Sequence, residues 1–314
     1  MVLNISDKWT WDHWIYDSGE DFHIFFLQAP KDSKNANNRH LNASIGHAVS
    51  KDLKNWRLLP DALCKGNVDD WDDTATWTGS TIRDHNSGKY YLFYTGVTKK
   101  NNGIVQRIGA AVSDDLITWN KVLQNPLIVA DPQIYACQEN GEVNTDFRDP
   151  WVFYDDRDKK WHMLITAFSK EDRNQFTRGL VGHAISDDLL NWELQKPLSG
   201  PSTFGQTEVL QVVKENGRYV GIFCCGAENI SPEIRDPKGG TFSVPLDSPT
   251  GPFHFVSAER FNNDWVYAGR IVRDRTGQLN LIGFVNAEND SDAPCVITDP
   301  IPVKLSEKGT LQII

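Results

Sequence analysis

Three acidic residues stand at the heads of runs rich in aromatic and β-branched side chains. Asp12 precedes His13-Trp14-Ile15-Tyr16, Asp149 precedes Pro150-Trp151-Val152-Phe153-Tyr154, and Glu208 precedes Val209-Leu210-Gln211-Val212-Val213. Such runs read as β-strands. Asp149 sits in an Arg148-Asp149-Pro150 triplet. Proline donates no ladder hydrogen bond, so the triplet is expected where a strand begins, with a loop delivering Asp149 to a shared pocket. Two carboxyl groups across a glycosidic bond suffice for its hydrolysis: one protonates the leaving oxygen, the other attacks the anomeric carbon or activates water. A third can hold sugar hydroxyls and stabilise positive charge in the transition state. The other use of clustered acids is a divalent cation site. Calcium wants several oxygen ligands from one flexible loop, which acids this far apart in sequence do not supply.

Something must bring distant residues together, and the chain contains a repeat that does so. Gly46-His-Ala-Val-Ser-Lys-Asp-Leu-Lys-Asn-Trp56 recurs as Gly109-Ala-Ala-Val-Ser-Asp-Asp-Leu-Ile-Thr-Trp119 and as Gly182-His-Ala-Ile-Ser-Asp-Asp-Leu-Leu-Asn-Trp192, with a weaker copy from Gly240. In each copy a strand leads into a Ser-x-Asp turn, and Trp opens the next strand. Upstream of them lie a second set of strands, headed by Phe22, Tyr90, Trp161, Tyr219 and Leu279, most preceded by Gly- or Asn-containing turns. Before each turn comes another strand, beginning near Asp12, Thr78, Asp149, Glu208 and Ala268.

The unit is therefore about sixty residues with four short strands, repeated five times, and no helical period interrupts it. Five four-stranded sheets in radial repetition make an all-β, five-bladed β-propeller. The stretch from Cys295 to Ile314 completes the last blade, so residues 1–314 are expected to form a single catalytic domain without a C-terminal β-sandwich. First strands of blades line the axis, which places Asp12, Thr78, Asp149 and Glu208 around one central acidic pocket. Like charges that close raise one another's pKa, so their convergence points to a use.

Composition narrows the partner. A net charge of −10 argues against nucleic acid and anionic membranes. Aromatic residues at 11%, with 11 Trp, suit packing on sugar C–H faces as well as an aromatic core. The five cysteines have no zinc-like spacing and read as reduced thiols. The N-terminus has no basic segment followed by an apolar run, so a cytoplasmic chain is expected, or a secreted one if a signal was removed.

Gly46-His-Ala-Val-Ser-Lys-Asp-Leu-Lys-Asn-Trp56, Trp77-Thr-Gly-Ser80, Tyr94-Thr-Gly96 and Phe147-Arg-Asp-Pro150, in this order and spacing, resemble the β-fructosidase superfamily of invertases, levanases and inulinases, with levansucrases as the sister family. The resemblance implies a five-bladed propeller that cleaves β-fructofuranosides with retention through a covalent fructosyl-enzyme. It implies Asp12 as nucleophile, Asp149 as transition-state stabiliser with Arg148 beside it, and Glu208 as general acid/base. Trp11, Gln28, Trp77, Thr78 and Tyr267 match substrate-contacting positions. No metal or organic cofactor is implied, and the substrate is a small or oligomeric saccharide. The surroundings of Asp12, Trp11-Asp12-His13-Trp14, follow the levansucrase form rather than the Asn-Asp-Pro-Asn-Gly of invertases. Val209 and Leu210 stand where Cys and Pro usually follow the acid/base, and Ile45 where Trp usually precedes Gly-His-Ala.

Two rivals stay open. An inverting arabinanase-type furanosidase also uses a five-bladed propeller and three acids. Separations of roughly 6.5–9.5 Å between the working carboxyls mark inversion, and about 5–5.5 Å retention. A non-catalytic sugar-binding propeller is the second. Other conspicuous residues read as structural. His47, His183, Trp56, Trp119 and Trp192 repeat with the blades. Asp17 is expected in a turn, Arg235-Asp236-Pro237 in another, and Asp69-Asp70-Trp71-Asp72-Asp73 in a solvated loop that could rim the pocket. Oligomeric state is open between monomer and homodimer.

Overall fold

The computed structural model describes residues 2–31, 36–100, 104–138, 141, 145–234, 237–285 and 295–314. Strands β1–β4 span Lys8–Asp17, Phe22–Pro30, Ser44–Ser50 and Arg57–Leu58. Strands β5–β8 span Ala75–Arg83, Tyr90–Thr98, Val105–Ser113 and Asn120–Lys121. Strands β9–β12 span Phe147–Asp155, Lys160–Phe168, Gly179–Ser186 and Trp192–Gln195. Strands β13–β16 span Glu208–Glu215, Arg218–Cys225, Gly240–Leu246 and Glu259–Arg260. Strands β17–β20 span Val266–Arg273, Leu279–Val285, Ile301–Leu305 and Leu311–Ile313.

Each set is a four-stranded antiparallel sheet in chain order, and the first strands β1, β5, β9, β13 and β17 touch one another in a closed ring. This is the expected five-bladed propeller. Among the described residues no helix is long and apolar enough to cross a membrane.

The repeated Ser-x-Asp-Leu turn has a clear physical basis. In its third copy Asp188 Oδ1 accepts from the backbone N–H of Leu190 (3.0 Å) and Asn191 (2.7 Å), and Leu189 takes a left-handed φ of 67°. Leu53 and Leu116 do the same at 63° and 64°. That conformation costs a non-glycine residue about 1–2 kcal/mol. It is offset because each leucine drops into the core, where all three are buried, and because the aspartate satisfies the turn's N–H groups. Trp119 and Trp192 then donate Nε1–H to the carbonyls of Leu116 and Leu189 at 3.1 and 2.9 Å, in keeping with a packing role.

Neighbouring blades are joined by named hydrogen bonds near the axis. Trp14 Nε1 donates to Thr81 Oγ1 (2.9 Å), Val152 N to Ser80 Oγ (3.0 Å), and Thr166 Oγ1 to the Thr207 carbonyl (3.1 Å). Gln211 exchanges two bonds with the backbone of Ile271, at 2.7 and 2.9 Å. Thr10 N and Oγ1 both donate to the Cys295 carbonyl, closing the ring between the fifth and first blades. Asp17 lies at the exposed end of β1, pairs with Arg275 at 2.6 Å and accepts from Gly19 N, so it is the turn residue expected.

Two expectations need correction. Glu208 begins β13 as expected, but the other four first strands start two to four residues before Asp12, Thr78, Asp149 and Ala268, and Asp149-Pro150 lie inside β9. Proline is tolerated there because β9 bulges: Arg148 pairs with Thr166 and Trp151 with Leu164, leaving Asp149 and Pro150 opposite Ile165 alone. The aspartate run is not all solvated. Asp72 is buried, accepts from Tyr94 Oη at 2.8 Å and pairs with Lys121 Nζ at 2.5 Å, so it holds the second blade together. Arg235 and Asp236 of the second Arg-Asp-Pro triplet lie outside the described residues.

Candidate active site

All five first strands bulge at one level of the channel. The ladder slips at Asp12 in β1, at Thr78 in β5, at Asp149-Pro150 in β9, at Val209-Leu210 in β13 and at Ala268-Gly269 in β17. A bulge turns a side chain out of strict alternation, and here each of the five holds or adjoins a pocket residue: Asp12, Thr78, Asp149, Glu208 and Tyr267. Three carry non-glycine residues at positive φ: Asp149 at 57°, Val209 at 54° and Ala268 at 47°. Gly79 is obligatory at its bulge, because a Cβ there would sit 1.8 Å from the Phe93 carbonyl oxygen.

Two of the three acids share a partner, Arg148. Arg148 Nη2 lies 2.6 Å from Glu208 Oε1, and Arg148 Nε lies 3.5 Å from Asp149 Oδ2. The Glu208 Oε2 accepts from the Tyr267 hydroxyl. Asp149 Oδ2 accepts from Thr166 Oγ1 (3.2 Å) and from Val209 N (3.4 Å), so the third and fourth blades are tied at the site. Asp12 Oδ2 accepts from Thr78 Oγ1 at 2.7 Å. Asp149 is fully buried, whereas Asp12 and Glu208 keep part of their surface open.

The electrostatics follow from this packing. Burial pushes Glu208 above the usual carboxyl range, while Arg148 and the Tyr267 hydroxyl hold it back. Burial also raises Asp12, opposed by the Thr78 hydrogen bond and then by Arg270, Arg148 and Arg39. Asp149 is pushed up to about 7, chiefly by burial and secondarily by the charges of Asp12, Glu208 and Asp146, with Arg148 opposing. Burial thus raises all three acids of the pocket, and each is opposed by its own set of cations and hydrogen bonds.

The aromatic wall forms on one side. Trp11 and Trp77 flank the His40 ring, at centroid distances of 5.6 and 6.3 Å, and Trp77 Nε1 donates to the His40 carbonyl at 2.7 Å. Arg39 lies over the Trp11 ring at 5.5 Å. Gln28 stands apart from these aromatic contacts. It is buried on β2 and its amide donates to Ser44 Oγ at 3.3 Å.

Several participants carry no clear sign in the sequence. Asp146 pairs with Arg148, and its other oxygen accepts from Gln206 Nε2 at 2.8 Å, whose Oε1 accepts from Asn229 Nδ2 at 3.0 Å. A partial signal exists: Asp146 and Gln206 each stand two residues before a site residue, a spacing that shares a face in extended chain. His40 and Arg39 come from the 3-10 segment Ala36–Asn42, which the strand pattern passes over. His47 and His183 pair with His23 and His162 at 3.0 Å within their blades, as structural residues do. Asp155, Asp158 and His162 form the one metal-like group among the described residues. It lies at the far end of β9, and Asp155 is already held by Arg157 at 2.6 Å.

Residues 12–300 match the Glycosyl hydrolases family 32 N-terminal domain. The chain is 30% identical over 206 residues to an insoluble β-fructofuranosidase isoenzyme of Arabidopsis thaliana, covering 62% of this chain and 31% of the relative. It is 36% identical over 156 residues to a 6(G)-fructosyltransferase of Asparagus officinalis, covering 48% and 23%. The chain therefore spans less than a third of the length of these relatives. In fold it is similar to an inulosucrase from Halalkalicoccus jeotgali solved with kestose, with a TM-score of 0.77 at 22% identity, over 100% of this chain and 90% of that one. The match takes in every acid of the pocket and every strand but the last two, β19 and β20: the chain belongs to glycosyl hydrolases family 32.

Proposed function

We propose that this propeller cleaves β-fructofuranosides, sucrose or fructo-oligosaccharides and fructans, with retention of configuration, and passes the fructosyl group to water or to a second sugar. The observation that most supports this is Glu208 held between the Tyr267 hydroxyl and Arg148 Nη2, with the same guanidinium on Asp149. A carboxyl gripped from both sides, raised by burial and partly open, suits a general acid. Asp12 is raised by burial, and the Thr78 hydrogen bond and three arginines oppose that rise and favour the carboxylate that attacks.

In the first step the Asp12 carboxylate bonds to fructosyl C2 as the C2–O bond breaks, and the Glu208 proton passes to the leaving oxygen. This leaves a fructosyl ester on Asp12 and the departing sugar free. In the second, the Glu208 carboxylate takes a proton from water or a sugar hydroxyl, whose oxygen bonds to C2 and frees Asp12. Asp149, fixed by Thr166 and Val209, holds fructosyl hydroxyls, and Trp11 and Trp77 wall the ring. Gln28 enters only if bound sugar draws it from Ser44.

The test is sugar release from sucrose, a fructo-oligosaccharide, levan and an arabino-oligosaccharide, by the wild type and by Asp12→Asn and Glu208→Gln. Fructose release that falls about 10³-fold or more in both variants is the expected result. Arabinose release would replace this reading with the inverting furanosidase. Binding without turnover on all four would replace it with a sugar-binding propeller.

A further inference from the structure

Arg270 is 1% exposed and lies on the axis directly beneath the acids. Its guanidinium reaches every other blade. Nε donates to the His13 carbonyl at 3.3 Å, Nη2 to the Gly79 carbonyl at 3.5 Å, and Nη1 to the Val209 carbonyl at 3.2 Å and the Leu210 carbonyl. Its Cζ stands 4.9 Å from the centroid of the Trp151 ring. Each contact falls one or two residues after a pocket residue: His13 after Asp12, Gly79 after Thr78, Val209 and Leu210 after Glu208, Trp151 after Asp149. Arg270 itself follows Tyr267 by three.

We propose that Arg270 is a positioning residue of the reaction, a single cation that fixes the bulges presenting Asp12, Thr78, Asp149 and Glu208 and supplies the permanent positive charge under the attacking carboxylate. The proposal rests on the retaining mechanism above for its catalytic consequence, but its electrostatic half can be read without substrate.

A guanidinium is the one side chain that can do this, because its five N–H groups form a flat fork able to reach separate carbonyls while remaining charged. Burial lowers Arg270 to about 10, so it stays cationic across the working range. The groups facing Asp12 are Arg148 and Asp149 from β9, Arg270 from β17, Arg39 from the 3-10 segment, Cys224 from β14 and the Thr78 hydroxyl from β5. Its chain neighbour His13 is buried and held neutral, brought down to about 3 by burial and by Arg270. Of the three cations, Arg148 is shared with Asp146, Asp149 and Glu208. Among the described residues, the direct partners of Arg270 are carbonyl oxygens and an aromatic face.

The experiment compares wild type with Arg270→Met and Arg270→Lys in two measurements. The first is the Asp12 carboxyl titration, followed by NMR in protein carrying ¹³C-labelled aspartate and assigned with Asp12→Asn. The second is the pH profile of kcat/KM for fructose release. Arg270→Met is expected to raise the Asp12 pKa by about one unit or more and to move the acid limb upward with it. Arg270→Lys keeps the charge but loses the fork, so its limb should stay in place while kcat falls at least about tenfold. A folded Arg270→Met with an unmoved Asp12 titration overturns the electrostatic role. A folded Arg270→Lys with wild-type kcat overturns the positioning role, and this variant decides the matter if the methionine variant does not fold. No fructose release from the wild type would sink the proposed function and with it the catalytic positioning role, while the NMR titration would still decide the electrostatic role of Arg270.

Discussion

Arg148 Nη2 sits 2.6 Å from Glu208 Oε1 while Arg148 Nε sits 3.5 Å from Asp149 Oδ2, so one guanidinium serves acids from two blades. Its third partner, Asp146, is itself held by Gln206, and Gln206 by Asn229. The side chain is therefore fixed before any substrate arrives, and the two acids are spaced by a rigid planar bridge.

This geometry makes Arg148→Lys a severe change despite conserving charge. A lysine is a point charge and cannot span Glu208, Asp149 and Asp146 at once. Steady-state kinetics on the preferred fructoside should show kcat/KM down by on the order of 10²-fold, with thermal stability little altered. A loss below threefold would show that the bridge is dispensable.

Tyr267→Phe removes one hydroxyl and the bond it donates to Glu208. That bond favours the ionised carboxyl, so its loss raises the Glu208 pKa further. The acid must be protonated to act, so kcat/KM declines as pH rises through this pKa. The alkaline limb should accordingly move to higher pH in the variant, by about half a unit or more, while kcat falls roughly tenfold. A limb that moves downward would contradict the assignment of Glu208 as the acid.

Asp149 links the site to stability. Its carboxyl titrates near 7 in the folded protein against 3.8 when unperturbed. Between those values the unfolded chain ionises first and the folded state holds the extra proton, so stability falls as pH rises from about 4 to about 7 and is level above. Asp149→Asn keeps an acceptor for Thr166 and Val209 but does not ionise. Its stability relative to wild type should grow across that window, by up to about 4 kcal/mol, in urea melts taken from pH 4 to pH 8. A constant difference across the window would show that Asp149 is not a raised acid.

The turn repeat offers a contrast far from the chemistry. Asp188→Ala leaves the N–H groups of Leu190 and Asn191 without their acceptor, and only the bond from Leu189 N to Ser186 Oγ then holds Leu189 at its positive φ. The expected cost is about 2 kcal/mol in unfolding free energy, with fructose release per folded molecule unchanged. Equal losses in both measurements would mean that this blade edge reaches the pocket.

The blades were legible because each Ser-x-Asp-Leu turn is a local device. Asp52, Asp115 and Asp188 satisfy N–H groups two and three residues ahead, so the pattern needs no tertiary context to be recognised. The acids were legible for a related reason, since each precedes a hydrophobic strand run. The bulges were not. A bulge is a mismatch between two strands, and nothing within Phe147–Asp155 alone announces that Asp149 and Pro150 share the single partner Ile165. Arg270 was hidden still more deeply. In the run Val266-Tyr267-Ala268-Gly269-Arg270 it reads as a surface charge at a strand's middle, and only closing the ring turns it onto the axis. His40 and Arg39 lie in a short 3-10 segment whose packing on Trp11 no strand period could have shown.

A covalent, retaining passage through Asp12 can be read from methanolysis. With the fructoside substrate in dilute methanol, part of the fructosyl group is captured as a stable methyl fructofuranoside whose anomeric configuration NMR reads without interference from mutarotation. Two displacements at C2 give the methyl β-fructofuranoside, and that anomer alone is expected, absent in Asp12→Asn. Formation of the methyl α-fructofuranoside would mean a single displacement, and would contradict the role given to Asp12.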